Sequence, residues 1–270
     1  NTFTYKSEAA LALGSFVRIP VGKSHPIGVV ISSVTNPLYD PKQITEQLAL
    51  RALPAGLSAT TLWMAEYYQT HLATVLQTVL PRGITTKRRA KKQLLPEVKR
   101  DRTHFLLNKD QAAAIEQLYS SSSGTVLLHG VTGSGKTAVY IEHAKRTLQD
   151  GKSIILLVPE IALTSQLVAE FRQFFPDIIL THSRQTEAER HLSWLDAISS
   201  SRPRIVIGPR SALFMPVSDI GAIIIDEAHE PSFKQDQAPR YSARDVAVIE
   251  GVVGEHELYA GPGAGAGPGA

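Results

Sequence analysis

The sequence contains no cysteine, only two methionines and two tryptophans, and just 7% aromatic residues. The missing cysteine excludes disulfides and any zinc or iron–sulfur centre held by thiolates within the chain, so no zinc is expected. No apolar run approaches the roughly 18 residues that span a bilayer, and no charged start leads into an apolar stretch as in a secretory signal. A cytoplasmic chain without a membrane partner is therefore expected. Net charge is also small, +3 over 270 residues, but it is unevenly spread. Between positions 87 and 102, Lys87, Arg88, Arg89, Lys91, Lys92, Lys99, Arg100 and Arg102 face only Glu97 and Asp101, a local +6 that leaves the remainder at −3. Such a run attracts phosphate backbones through counterion release, or keeps a solvated linker extended; composition alone allows both. With 43% hydrophobic residues, the chain can fill one large core or two modest ones.

What is present begins with Gly130, Val131, Thr132, Gly133, Ser134, Gly135, Lys136 and Thr137, which meet every position of the GxxxxGK[ST] phosphate-binding loop. Thr125 to Leu128 before it reads as a buried strand, and Ala138 to Leu148 after it reads as a helix, the context that the motif needs. Glycines let the backbone wrap a polyphosphate, and the N–H groups at the helix start point at its oxygens. Lys136 offers a cation, and the Thr137 hydroxyl can ligate Mg²⁺. Downstream, Ala222 to Ile225 reads as a central parallel strand ending in Asp226 and Glu227. Asp226 is the expected Mg²⁺ carboxylate, and Glu227 is placed to orient or deprotonate an attacking water. The plainer reading is that both acids cap the helix that follows.

Residues 1 to about 50 carry strand and turn signals. Phe16 to Pro20 and Ile27 to Ile31 flank a loop with Gly22 and Lys23, which predicts a hairpin in a small β-rich module. Leu62, Met64, Ala65, Tyr68, Leu72, Val75, Leu76 and Val79 space out an apolar helical stripe that Pro81 and Gly83 terminate. From Asn108, a plausible N-cap, helices alternate with strands at 125–129, 153–158, 178–181, 204–207 and 222–225. That order predicts an α/β lobe, a parallel sheet with helices on both faces. The expected domains are 1–86, a basic linker at 87–107, the lobe at 108–258, and a disordered Gly/Ala/Pro tail at 259–270.

Several separated segments resemble one family, the PriA replication restart helicases, also called primosomal protein N′, of helicase superfamily 2. They are LLHGVTGSGKT from Leu127, LVPEIALTSQ from Leu157, THS from Thr181, IVIGPRSALF from Ile205, IIIDEAH from Ile223 and PSFKQDQAPRYSARDVA from Pro231. The N-terminal residues are similar to the family's 3′ DNA-binding domain through TFTY at Thr2, FVRIPVGK at Phe16, IGVV at Ile27 and AEYYQTHLATVLQTVLP at Ala65. Where the first of these motifs usually carries an Asp, this chain has Thr4.

The resemblance implies a RecA-like ATP-binding lobe behind a β-rich DNA-binding domain. It also implies an ATP- and Mg²⁺-dependent helicase moving 3′ to 5′ on forked or single-stranded DNA, with single-strand binding protein and other primosome proteins as partners. Gln111 stands where superfamily 2 proteins often place an adenine-reading glutamine. On the lobe, Thr164, Thr181, Ser183, Arg210 and Ser211 are expected to fix backbone phosphates without reading sequence, unless they are merely turn residues. Phe233, Lys234, Arg240 and Tyr241 mix aromatics with cations as a single-strand contact would, although the two aromatics can equally pack inward. In the N-terminal module Phe3 can stack on a base, with burial as the alternative, and Lys23 is a further DNA candidate. The family's winged-helix insert, second lobe and cysteine-rich zinc module find no counterpart in these residues, so weak ATP turnover is expected. A non-enzymatic DNA-binding remnant and an unrelated phosphate-loop ATPase are the competing readings.

Overall fold

The computed structural model describes residues 2–86, 106–120, 124–130, 133–159, 166–254 and 257–260, with side chains described as far as residue 251. The basic stretch at 87–105, the loop residues Val131 and Thr132, the expected DNA contact Thr164 and the tail at 261–270 lie outside the described residues.

The N-terminal hairpin is present. Strand β1 (Phe16–Arg18) pairs antiparallel with β2 (Ile27–Val29), setting Phe16 opposite Val29 and Arg18 opposite Ile27. A third strand, β3 (Glu46–Gln47), flanks β1 on its other side, where the Arg18 Nε donates to Glu46 Oε1 at 2.8 Å. Two exposed polar residues carry no period, so β3 has no sequence signature. Helices α1 (Ala55–Tyr67) and α2 (Leu72–Val79) follow. In α1 the buried residues are Leu57, Thr60, Thr61 and Met64, the i, i+3, i+4, i+7 spacing of one helix face.

The lobe opens with α3 (Lys109–Ser120). Asn108 Oδ1 accepts the Gln111 N–H at 2.8 Å, and Gln111 Oε1 accepts the Asn108 N–H at 3.0 Å, a reciprocal box that satisfies two donors at the helix start. Then come β4 (Gly124–Leu127), α4 (Lys136–Gln149), β5 (Ser153–Leu157), α5 (Gln166–Phe174), β6 (Ile178–Leu180), α6 (Glu187–Ser199), β7 (Ile205–Gly208), β8 (Ile220–Ile225), α7 (Ala243–Gly254) and β9 (Glu257–Ala260). The strands form a parallel sheet in the order β4-β9-β8-β5-β7-β6. Strand β9 corrects the expected tail: Tyr259 and Ala260 belong to a strand that pairs with β4 on one side and β8 on the other. Four residues running into a Gly/Ala/Pro stretch gave no periodic signal, and only the gap between two strands selects them.

Alternation along β5 divides the core. Ile154 and Leu156 join Ile115, Tyr140, Ile141 and Phe171 on the α3, α4 and α5 side. Ile155 and Leu157 face a second cluster that holds Trp194, Phe214, Tyr241 and Val246 together with Phe16, Leu57, Met64, Val75 and Val79 of the N-terminal module. Helix α1 packs on α7, and α2 packs on the 3₁₀ turn at Arg210–Phe214. The Trp194 indole N–H donates to Val79 O at 3.0 Å, a His191 ring nitrogen lies 3.2 Å from Ile84 O, and Arg51 reaches Ser200 O at 2.6 Å. The module and the lobe therefore share one core.

A buried acid sits in that joint. Glu250 of α7 is 1% exposed, and its Oε1 lies 3.7 Å from where a Cβ on Gly56 would stand. Burial pushes its carboxyl up from 4.5 to about 7, against the pull of the Thr60 hydroxyl. Because the folded value lies above the unfolded one, the stabilisation is complete below about 4.5 and is lost as pH rises through about 7. Thermal unfolding of Glu250→Gln is accordingly expected to be flat in pH where the wild type loses stability, with the variant the more stable of the two at about pH 8. Equal pH slopes for the two proteins would remove Glu250 as the cause.

Candidate nucleotide site and nucleic-acid face

The phosphate loop runs from β4 into α4 at the carboxyl edge of the sheet, where open α/β sheets take ligands. Gly133 and Gly135 sit at φ +81° and +79°, left-handed positions that admit glycine at no steric cost. Gly135 is also the N-cap of α4, so the loop delivers Lys136 and Thr137 as the first residues of the helix. A Cβ on Gly135 would meet Gln111 Nε2 at 2.5 Å. That amide lies on the loop, donating to Ser134 O at 3.1 Å and Gly135 O at 3.4 Å. The expected adenine reader thus holds the loop's backbone here. Lys136 Nζ donates to Gly130 O at 3.0 Å.

Asp226 directly follows strand β8, and its N–H donates to Leu157 O at 2.9 Å and so registers it against β5. Glu227 follows at φ +49°, a conformation that costs a non-glycine residue energy and gathers at functional sites. Its carboxylate stands 3.6 Å from His229 Nδ1. One cleft of about 390 Å³ is lined by Gly133, Gly135, Lys136 and Thr137 on one side and by Asp226 and Glu227 on another. The two halves of the motif pair therefore face a common space, as a triphosphate and its metal require. Thr137 and Asp226 supply hard oxygen donors that fit Mg²⁺.

Burial pushes the Asp226 carboxyl up. A hydrogen bond from the Tyr140 hydroxyl pulls it down, Glu227 pushes it up, and the Lys136 ammonium and the Glu227 N–H pull it down again. Tyr140 was not singled out in the sequence. It is 3% exposed, and its hydroxyl donates to Asp226 Oδ1 at 3.1 Å. The available signal was its place four residues after Lys136, one turn along the same helix face. Gln166 and Glu170 of α5, joined by a 2.8 Å hydrogen bond, also line the cleft without a prior signal.

The expected DNA contacts divide. Ser183 and Ser211 are exposed and line a second cleft, and Thr181 lines the same cleft while only 5% exposed. A Cβ on Gly208 would stand 2.0 Å from the Thr181 hydroxyl, so the ends of β6 and β7 approach as closely as glycine permits. Arg210 Nη1 donates to Ser232 O at 2.6 Å and Lys234 O at 3.1 Å, which ties down the loop after the DEAH run. Phe233 and Tyr241 are corrected: at 1% and 2% exposure they lie in the shared core, Tyr241 edge-on to Phe214, and offer no face to a base. Apolar ring area in a loop that folds back onto the lobe is better buried than exposed. Lys234 places its Nζ 5.7 Å from the Tyr68 ring centre, and Arg240 is exposed. In the N-terminal module Phe3 is 52% exposed, edge-on to Tyr5, and Lys23 is exposed in the hairpin turn.

With this geometry in place, comparison with known proteins identifies the class. A family model described as DEAD/DEAH box helicase matches residues 108–247, more than half of the chain, and one described as a 3′ DNA-binding domain matches residues 1–81. The chain belongs to the DEAD/DEAH box helicases. Among its relatives are replication restart proteins PriA. That of Chlamydia pneumoniae is 46% identical over 151 residues, covering 54% of this chain and 20% of the relative. The Haemophilus influenzae protein is 48% identical over 145 residues, with coverage of 53% and 20%, and the Helicobacter pylori protein 33% over 246 residues, with 91% and 38%. The resemblance to PriA seen in the motifs is upheld, and the chain spans between a fifth and two fifths of these relatives' length. Among solved structures, the helicase domain of Hef from Pyrococcus furiosus aligns at a TM-score of 0.44 and 18% identity, over 59% of this chain and 33% of its own. No helix among the described residues is long and apolar enough to cross a membrane.

Proposed function

We propose that the chain is the ATP- and DNA-binding front of an ATP-dependent helicase that moves 3′ to 5′ on DNA and restarts replication at abandoned forks in the cytoplasm, alongside single-strand binding protein and other primosome proteins. The observation that carries this reading is the single cleft shared by Lys136, Thr137, Asp226 and Glu227. In it the loop N–H groups and Lys136 would hold the phosphates, Thr137 and Asp226 would hold Mg²⁺, and Glu227 would orient the water. Bound Mg²⁺ supplies charge neutralisation on the phosphate oxygens.

A fluorescent ATP analogue and a labelled single strand, titrated separately into the same protein, test the reading. Saturable nucleotide binding together with salt-dependent strand binding is the expected result. A protein that binds the strand but no nucleotide is a scaffold, and one that binds nucleotide but no DNA is a different ATPase.

Tyr140 sharpens the site. Removing its hydroxyl in Tyr140→Phe takes a donor from Asp226 and leaves the ring in the core. The Mg²⁺ concentration needed for half-maximal nucleotide binding is expected to rise about 5-fold, the equivalent of about 1 kcal/mol for one hydrogen bond, while metal-free binding stays constant. An unchanged Mg²⁺ titration would show the bond to be incidental.

A further inference from the structure

A cleft of about 580 Å³ lies where α2 of the N-terminal module meets the carboxyl edge of the lobe sheet, and its size is within the ~300–1,000 Å³ range of ligand clefts. One wall is the end of α2 and the residues after it, including Gln77, Thr78 and Arg82. The opposite wall carries Ser183 and Ser211, with Arg190 of α6 at the rim. Trp194 and Phe214 close the floor from the shared core.

Three features set its chemistry. The polar lining consists of hydroxyls, two amides, the His182 ring and two guanidinium groups against one carboxylate, Glu187, a set that can bind phosphate oxygens without discriminating between bases. Thr181, nineteen-twentieths buried in the lining, has a hydroxyl with no hydrogen-bond partner among the described residues. Packed against Gly208 at the end of β7, that hydroxyl makes the base of the cleft polar without reaching into it. Arg82 meets Glu187 at 3.8 Å, and with the two side chains 89% and 55% exposed this puts a guanidinium at the solvent face of the cleft.

We infer that single-stranded DNA runs through this cleft with its backbone gripped from both sides, by the end of α2 as well as by the lobe. Resting on the proposed DNA-binding role, the inference goes further in making Gln77 and Arg82 part of the path. The shared core holds the two walls at a fixed spacing, so a strand that enters meets both at once.

The test uses the 270-residue chain and a fluorescein-labelled oligo(dT), read by anisotropy between about 50 and about 200 mM salt. Arg82→Ala combined with Arg190→Ala is expected to weaken binding about 10-fold and to reduce the magnitude of the slope of log K against log salt by about 1.4, two phosphate contacts at about 0.7 each. Binding of the ATP analogue, retained by the variant, certifies its fold. Independently, a benzophenone amino acid in place of Gln77 in the otherwise wild-type chain is expected to crosslink to the oligonucleotide. Wild-type affinity and slope in the double variant, or no crosslink from position 77 while the strand is bound, overturns the inference and leaves the DNA-binding role standing. If the wild-type chain binds no oligonucleotide, both fall together. Should the double variant fail to fold, the crosslink decides.

Discussion

Lys136→Ala weakens binding of an ATP analogue by about 10- to 100-fold and leaves binding of single-stranded DNA at its wild-type level. The magnitude follows from the loss of a hydrogen bond to a charged group, about 1.5–3 kcal/mol, at tenfold in Kd per 1.4 kcal/mol. The direction follows from position. Lys136 opens α4, lines the nucleotide cleft opposite Asp226, and in the absence of ligand donates to Gly130 O at 3.0 Å. That carbonyl belongs to the loop itself and is half-buried, so water can replace the lost donor there. Circular dichroism of the variant is accordingly expected to match the wild type. An analogue titration unchanged by the substitution would place the nucleotide somewhere other than the cleft between the loop and β8. A parallel loss of strand binding would show that the two clefts are energetically linked within these residues.

Trp194→Ala costs about 3–5 kcal/mol of stability, the range for truncating a large buried aromatic, against a total of about 5–15 kcal/mol for a domain. The indole is 3% exposed, stands edge-on to Phe16 with ring centres 6.0 Å apart, and donates its N–H to Val79 O. Its loss opens a cavity at the joint and deprives a buried carbonyl of its donor, two penalties in one place. Because Phe16 belongs to β1 and Val79 to α2, the effect falls on the attachment of the whole N-terminal module. Urea unfolding of the variant is expected to separate into two transitions, the module melting before the lobe. Trp63→Phe leaves Trp194 as the sole indole and offers a direct probe: its emission in the folded protein should be that of a buried ring, and should shift to the red in step with the loss of the module. A single unshifted transition in Trp194→Ala would mean that the shared core contributes little.

The parts of this structure that the sequence announces are those governed by local rules. The phosphate loop, the helix after it, the hairpin of β1 and β2, and the apolar run into Asp226 each carry a period or a fixed spacing, and each stands where that pattern predicts; the strand before the loop is there too, but at the sheet edge with Leu127 56% exposed, where its apolar run predicts burial. The parts it conceals are set by partners distant in the chain. Strand β9 is chosen by the gap between β4 and β8, and β3 by one face of β1. Phe233 and Tyr241 have the composition of a stacking loop, but Arg210 draws that loop against the lobe and the shared core takes both rings. Tyr140 reads as an ordinary helix residue until the fold carries Asp226 to it across 86 positions. Helices α1 and α2 read as the close of an N-terminal domain, and nothing in their periodicity says that the surface they cover belongs to α7 and the 3₁₀ turn.

Those packed helices also attach the two halves to each other through space. Residues on either side of the basic stretch are anchored independently, Ile84 through the ring of His191 and Leu107 within the cluster around α3. The module is therefore held on the lobe by packed side chains and hydrogen bonds that lie outside that stretch. Proteolytic cleavage between Ile84 and Leu107 is accordingly expected to leave the two halves associated on a sizing column.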